Sequence, residues 1–167
     1  MDYSSLPEAP TQLSVNTVLT RLLDGLIFRY YWATEGLTSE DFEFRPCESS
    51  MNIRELLNHF HHLCNVTYCV LSDVPVERIS PPSDALDTRN ESLRLLSVSR
   101  KITIDLDDAA LELKKFRPKD KALEYPVWNL LNGPIADALT HVGQITSWRR
   151  INGNPVYAHN PFLGKAL

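Results

Sequence analysis

An aspartate and a histidine stand four positions apart in the stretch DALTHVGQITSWRRINGNP, residues 137 to 155. If this stretch is a helix, Asp137 and His141 project from the same side of it and can bind the same ligand. A carboxylate and an imidazole are both ligands that divalent metal ions accept. The spacing therefore indicates part of a metal site.

A further ligand is offered by the histidine-rich stretch IRELLNHFHHLCNVTYCVL, which begins at residue 53. Its apolar residues recur at helical spacing, and His59 lies beside two leucines of that stripe. His61 and His62 rotate further from the centre of the stripe and are predicted at the surface or at the mouth of a site. His59 is therefore the histidine that we expect to face inward.

Two neutral imidazoles and one carboxylate form a known ligand set for catalytic zinc, for octahedral nickel-like sites and for the facial triad of non-haem iron(II). Three protein ligands leave coordination positions open, where water or a thiol can bind and lose its proton near neutral pH. A structural zinc would more often have four protein ligands, and no fourth candidate stands at a persuasive spacing. Cys64 is expected on the core side of its helix, away from His59. The ligand set favours an enzyme.

Each of these residues also has a simpler interpretation. A half-buried histidine usually just forms hydrogen bonds, and a helical aspartate is commonly a solvated surface charge. Trp148 is expected in the core rather than as a stacking platform. Arg149 and Arg150 are expected as a solvated helix end, where positive charge favours the negative pole of the helix dipole. The residues alone leave both interpretations open.

The elements that would position these side chains are four segments with the period of an amphipathic helix. The first, SVNTVLTRLLDGLIFRYYWATEG, ends at Gly36, a favourable C-terminal cap. The second runs from Asn52 to about Ser72, with Ser49 or Ser50 available as the N-cap. The third is TRNESLRLLSVSRKITIDL.

The fourth segment takes Pro134 as its first helical residue and ends at about Gly153. Residues 37–50 are predicted as a loop that holds at most one helical turn, and residues 107–124 as loop or irregular structure. Almost no β-alternation is present. The pattern predicts an all-α, antiparallel four-helix bundle, whose interior can hold metal ligands.

The composition is that of an ordinary globular protein. The 167 residues suit a single domain, 1–167, and 43% hydrophobic with 23% charged residues excludes a disordered or fibrous chain. A net charge of -4 offers no broad basic field, so nucleic acid is not an expected partner. Without a bilayer-length apolar run or signal-peptide features, we expect no membrane partner and a cytoplasmic location. Cys47, Cys64 and Cys69 show no CxxC spacing and are expected as free thiols.

Two stretches resemble a known family. WNLLNGPIADALTHVGQITSWRRINGNP, together with the upstream NIRELLNHF, is similar to the DinB-like (YfiT-type) superfamily of four-helix metalloproteins. That family typically has one histidine in its second helix and an H-x-x-x-H pair followed by G-Q in its fourth. The matching positions here are His59, Asp137 and His141. The chain departs from the pattern at Asp137, where a histidine is usual, and this change leaves the identity of the metal open.

The resemblance implies a DinB-like bundle with a metal site between the second and fourth helices. His59, Asp137 and His141 would hold a divalent Zn, Ni, Fe or Mn ion, and Gln144, one turn beyond the pair, would orient a ligand or the bound water. The cation would activate a thiol or water for attack on a small-molecule substrate. Thiol transfer with a low-molecular-weight thiol is the first expectation and hydrolysis the second. The resemblance also implies a homodimer.

Two other hypotheses use the same three residues. The first is a non-catalytic metal-binding or stress-associated bundle, in which metal changes the melting temperature without any turnover. The second is an iron-dependent oxygenase, since two histidines and a carboxylate also form the facial triad.

Overall fold

Four long helices form the body of the computed structural model, which describes residues 2–167. No helix within these residues is long and apolar enough to cross a membrane. In chain order the elements are α1 (Val15–Thr34), α2 (Ser39–Glu43), α3 (Ile53–Leu71), α4 (Ala85–Asp105), α5 (Asp108–Glu112), β1 (Lys115–Phe116), β2 (Tyr125–Pro126), α6 (Trp128–Leu130), a π-helical turn (Leu131–Ile135), α7 (Ala136–Ile151), β3 (His159–Asn160) and β4 (Lys165–Ala166).

The long helices α1, α3, α4 and α7 pack into a four-helix bundle, as the hydrophobic pattern predicts. α3 and α4 share the largest interface, α1 also packs against α4, and α7 contacts both α1 and α3. The two antiparallel strand pairs are only two residues long and lie outside the bundle core. Each fully buried leucine, isoleucine or phenylalanine contributes about 1.5–3 kcal/mol, so the shared core holds α3 and α7 in fixed relation. Among the side chains that fill it are Leu23, Leu26, Ile53, Leu56, Leu57, Phe60, Leu96, Ile135 and Ile145.

The helix that carries His59 begins at a capping box. The side chain of Asn52 accepts a hydrogen bond from the backbone N–H of Glu55 at 2.8 Å, and the Glu55 carboxylate accepts one from the Asn52 N–H at 2.8 Å. The N-cap is thus Asn52, and the prediction of Ser49 or Ser50 is wrong. Both serines belong to the preceding turn, because only Asn52 has the extended backbone directly before the first helical residue.

The fourth predicted helix begins earlier than Pro134. The chain is already helical at Trp128, passes through the π-helical turn Leu131–Ile135 and continues as α7. Gly133 leaves helical geometry at φ -96° and ψ -108°, and Pro134 lacks the N–H that a regular turn would use. The predicted start at Pro134 therefore falls inside the π-helical turn, and the helical residues before it were missed because glycine followed by proline resembles a helix start.

The two connections predicted as loops contain short helices. α2 is a five-residue helix within 37–50, in agreement with the single turn expected there. Residues 107–124 hold α5 and β1, so this segment is more ordered than the sequence indicates. Asp107 caps α5 by accepting a hydrogen bond from the Ala110 N–H at 2.7 Å, a local signal at the start of the segment.

Candidate metal centre

The three predicted ligands meet between α3 and α7. The Nε2 atom of His59 lies 3.1 Å from Oδ2 of Asp137, and Nε2 of His141 lies 3.3 Å from Oδ1 of the same carboxylate. One ligand atom from each of the three residues can be chosen so that all three lie within 4.8 Å of one another. His59 comes from the second turn of α3, and the other two from the first turns of α7. We call these three residues the His–Asp–His cluster.

Gln144 holds the ring of His141. Its Oε1 atom lies 2.7 Å from Nδ1 of His141. Because an amide oxygen can only accept, Nδ1 is the donor, and the lone pair of a neutral ring then stands on Nε2, which faces Asp137. A metal-binding histidine normally donates its second N–H in this way, so Gln144 has the position predicted for it.

The His–Asp–His cluster is open to solvent on one side. The side chains of His59 and Asp137 are 35% and 45% exposed, whereas that of His141 is 13% exposed. The two imidazole rings meet edge to face, with centroids 4.8 Å apart. A surface ion pair in such an exposed place adds little stability, about 0–1 kcal/mol. Fold stability alone therefore does not explain why these groups are gathered here.

The spacing of the donor atoms fits a divalent cation. Ligand bonds to zinc are about 2.0–2.2 Å long, so neighbouring nitrogen and oxygen ligands stand roughly 3–3.5 Å apart in tetrahedral or octahedral arrangements. The nitrogen–oxygen separations of 3.1 and 3.3 Å, which involve different oxygens of the Asp137 carboxylate, lie in that range, and the ligand atoms of the three residues are within 4.8 Å of one another. The donor set, two imidazoles and one carboxylate, suits zinc, nickel, iron(II) or manganese. Within residues 2–167 no other group of three or more such side chains comes together in this way.

A cleft of about 590 Å³ opens beside His59. His62 also lines it, as predicted for a residue at the mouth of the site. Burial, reinforced by the nearby His59 and Arg78, lowers the pKa of His62. No sequence pattern pointed to Arg78, because this residue belongs to the proline-rich connection after α3 and reaches the cleft only through the fold. The lining residues are Arg45, Glu48, Ser49, Ser50, Met51, Glu55, Asn58, His59, His62, Arg78, Ile79 and Pro81.

His61 does not lie at the surface, contrary to the prediction. It is only 2% exposed, and within the described residues neither ring nitrogen has a hydrogen-bond partner. Burial lowers its pKa, although Glu91 of α4 acts in the opposite direction. The prediction fails because α3 is covered on two sides, by α4 as well as by α7. A single apolar stripe does not describe a helix with two neighbours.

Arg149 is also buried, where the sequence predicted a solvated helix end. It is 0% exposed, and its guanidinium donates to the carbonyl oxygens of Ala33, Glu35 and Asn154 at 2.9, 2.8 and 2.7 Å. Burial lowers the pKa of Arg149, while the charge of Asp41 opposes this effect. Only Arg150 is exposed as expected. We call Arg149, Asn154 and Asp41 the arginine network.

The cysteines take no part in the His–Asp–His cluster. Cys47, Cys64 and Cys69 are all free thiols, as predicted. Cys64 is 1% exposed, and burial raises the pKa of its thiol well above the usual value, so it is an inert core residue. Cys47 is exposed, and hydrogen bonds from Ser49 and Ser50 lower the pKa of its thiol.

Comparison with known proteins gives one informative likeness. No family model matches the chain, and no curated protein matches it by sequence. Among solved structures, the chain is similar to YfiT from Bacillus subtilis, with a TM-score of 0.64 and 14% sequence identity over 92% of this chain and 99% of that one. YfiT is described as a probable metal-dependent hydrolase with an unusual four-helix bundle topology. The likeness supports the resemblance seen in the sequence motifs and shows that this chain has the fold of the DinB-like, YfiT-type four-helix bundles.

Proposed function

We propose that the chain is a metal-dependent hydrolase that acts on a small-molecule substrate bound in the cleft beside His59. The observation that carries the proposal is the His–Asp–His cluster, whose ligand atoms lie within 4.8 Å of one another at a solvent-open edge of the bundle. The description of YfiT as a probable metal-dependent hydrolase supports the same class of reaction. Hydrolysis is thereby preferred to thiol transfer, which the family resemblance implied first.

His59, Asp137 and His141 would hold the cation, and three protein ligands leave room in its coordination shell for water and substrate. When bound, a divalent cation lowers the pKa of water or a thiol and polarises a carbonyl, which supplies a nucleophile and an electrophile near neutral pH. Gln144 fixes the ring of His141, so Nε2 stays available as a ligand. The carboxylate of Asp137 compensates the positive charge, and the cleft gives the substrate access from the side of His59.

Metal analysis of protein purified without an affinity tag tests the site. We expect about one divalent ion per chain in the wild type, because the three donors already stand at ligand spacing, and only trace metal in His59→Ala, Asp137→Ala and His141→Ala. The matched control is His159→Ala, which removes a histidine that stacks on Trp32 and does not belong to the His–Asp–His cluster. Equal, trace metal in the wild type and in all variants would contradict the proposal.

Turnover assays separate hydrolysis from the other hypotheses. The metal-loaded protein is offered small esters and amides, with and without a low-molecular-weight thiol. We expect the wild type to release product without the thiol, and we expect His141→Ala to lose this activity. A strict requirement for the thiol would replace hydrolysis by thiol transfer. Metal that raises the melting temperature without any turnover would favour a non-catalytic bundle, and oxygen consumption by the iron(II) form would favour an oxygenase.

A further inference from the structure

Arg78 is an arginine of the cleft whose charge no carboxylate neutralises. It lines the cleft together with His59 and His62, and its side chain is exposed. Within residues 2–167 its guanidinium makes no ion pair and no hydrogen bond. Seven other arginines of this part of the chain have carboxylate partners, among them Arg45 with Glu55 in the same cleft. A guanidinium left free beside a candidate reaction centre can bind an anionic ligand.

The backbone next to Arg78 is held in place. Val76 donates a hydrogen bond to the carbonyl oxygen of Arg117 at 2.7 Å and accepts one from the Lys119 N–H at 3.0 Å. The carbonyl of Glu77 accepts a hydrogen bond from the side chain of Asn65 at 3.0 Å. Asn65 lies on α3, the helix that also carries His59. The backbone before Arg78 is therefore tied to the helix that carries His59, so the arginine projects from a fixed segment beside the cleft.

The other charged residues of the cleft do not neutralise Arg78. Arg45 and Glu55 form an ion pair at 3.3 Å, and Arg45 also donates to the carbonyl oxygen of Ser50 at 2.9 Å. Glu48 is exposed at the rim and has no ion-pair partner within the described residues. Because Glu48 is exposed and forms no ion pair with Arg78, it weakens the positive potential of the cleft without removing the hydrogen-bonding capacity of Arg78.

We propose that Arg78 binds an anionic group, a carboxylate or a phosphate, of the substrate whose reacting bond lies at the His–Asp–His cluster. This inference rests on the proposed function, since it places one end of the substrate at the cation and the other at the arginine. A planar guanidinium forms paired hydrogen bonds with either anion, so it selects for charge and for distance from the reacting bond. Neutral analogues of the same length would lack this contact.

Hydroxamates provide a test that does not depend on turnover, because a hydroxamate binds a divalent cation directly. The probes are alkyl hydroxamates of several chain lengths that end in a methyl, a carboxylate or a phosphonate group. Their affinities for the zinc-loaded protein are measured by calorimetry. At the best length we expect the anionic probe to bind about tenfold more tightly than its methyl counterpart, the value of one charge-assisted hydrogen bond.

Variants of the charged residues show which side chain causes the preference for the anionic probe. Arg78→Ala should abolish the tenfold advantage of the anionic probe, while the methyl probe binds as before. Glu48→Gln should raise the affinity for the anionic probe by about two- to threefold. Arg150→Ala, which removes an exposed arginine outside the cleft, is the matched control and should change neither affinity. The ratio between carboxylate and phosphonate probes distinguishes the two anions.

Two failures are distinguishable. If the methyl probe binds but the anionic probes gain nothing, or if they keep their advantage in Arg78→Ala, the role of Arg78 is overturned and the metal centre survives. If no hydroxamate binds the zinc-treated protein, the metal centre itself fails, and the inference fails with it.

Discussion

The two ends of α7 carry polar groups of opposite character. Near its beginning, Asp137 and His141 join His59 in the His–Asp–His cluster, where the side chains are 13–45% exposed. Near its end, the guanidinium of Arg149 is fully buried and donates four hydrogen bonds. Both groups lie beside the apolar stripe of one helix, and the sequence alone predicts a functional role for the first and a solvated position for the second.

The difference between them lies in hydrogen-bond satisfaction. Asn154 accepts from Arg149 and donates to Asp41 at 2.6 Å, and Asn152 donates to the same carboxylate at 2.9 Å. The arginine network thus uses its polar atoms to tie the end of α7 to the turn between α1 and α2. In the His–Asp–His cluster, Nε2 of His59 and Oδ2 of Asp137 form a hydrogen bond at 3.1 Å, and both side chains are partly exposed. A saturated, buried network stabilises the fold, whereas potential ligands at a solvent-open edge can exchange such a contact for a cation and are available for chemistry.

The largest effect is expected from Arg149→Met, which keeps the aliphatic volume but removes every donor. It leaves three backbone carbonyls and the Asp41 carboxylate without their buried cation, so the free energy of unfolding should fall by about 3–5 kcal/mol. Urea unfolding followed by circular dichroism measures it. Arg150→Met is the matched control and should stay within about 0.5 kcal/mol of the wild type. A similar result for both variants would show that the network is not structural.

Metal binding should stabilise the cluster end of α7. At a free metal concentration of about 100 times Kd, the folded state gains about 2.7 kcal/mol, which raises the Tm of a chain of this size by roughly 5–10 °C. Differential scanning calorimetry with zinc and with EDTA measures the shift. His141→Ala should lose the shift, and Arg150→Ala should retain it. A zinc-dependent shift that persists in His141→Ala would place the cation elsewhere.

Gln144→Ala should weaken the metal centre without destroying it. Removing the acceptor of the His141 Nδ1–H frees the ring to rotate and lowers its basicity, so the Kd for zinc should rise about 10- to 100-fold, or roughly 1.4–2.7 kcal/mol. Competition with a chromophoric chelator measures the Kd. Gln144→Glu, which restores an acceptor, should recover most of the affinity. An unchanged Kd in Gln144→Ala would show that the 2.7 Å contact is incidental.

The smallest effect concerns the pH dependence of the arginine network. Burial raises the pKa of Asp41, but hydrogen bonds from the Thr38 N–H, Asn152 and Asn154 outweigh it and leave the pKa below its usual value. The pKa of Asp41 is therefore lower in the folded than in the unfolded protein. Its stabilising effect is complete above the unfolded-state pKa of about 3.9 and is lost as the pH falls through the folded-state pKa. Asp41→Asn should therefore cost about 1–2 kcal/mol at neutral pH.

Urea unfolding of both proteins at a series of pH values checks this linkage. The stability difference between wild type and Asp41→Asn should be constant above about pH 5 and narrow as the solution becomes more acidic. A difference that does not depend on pH would remove Asp41 from the network.

The sequence predicted much of the bundle, because helical periodicity and capping are local properties. The apolar period located all four long helices. The ends were less accurate. Asn52 rather than Ser49 or Ser50 caps α3, since three neighbouring residues can all act as caps and only the backbone conformation selects one of them.

The candidate site, like the bundle, could be predicted from the sequence only in part. The spacing of Asp137 and His141 on one helix required nothing beyond the 3.6-residue period, and that of Gln144 followed from it. The partner from α3 needed a choice among three histidines, and the structure brings His59 to the pair while it buries His61 against α4. The period of the apolar residues could not have placed both His59 and His61, because it does not show how many helices pack against α3.

Local sequence patterns were thus enough to predict four amphipathic helices and, on the last of them, a pair of potential ligands one turn apart. That His59 lies 3.1 Å from Asp137, that Arg149 is buried and that Arg78 reaches the cleft became visible only in the folded chain. These contacts join residues that are far apart in the chain. Their distances depend on how helices pack and how connections return, and no repeat in the sequence encodes either directly.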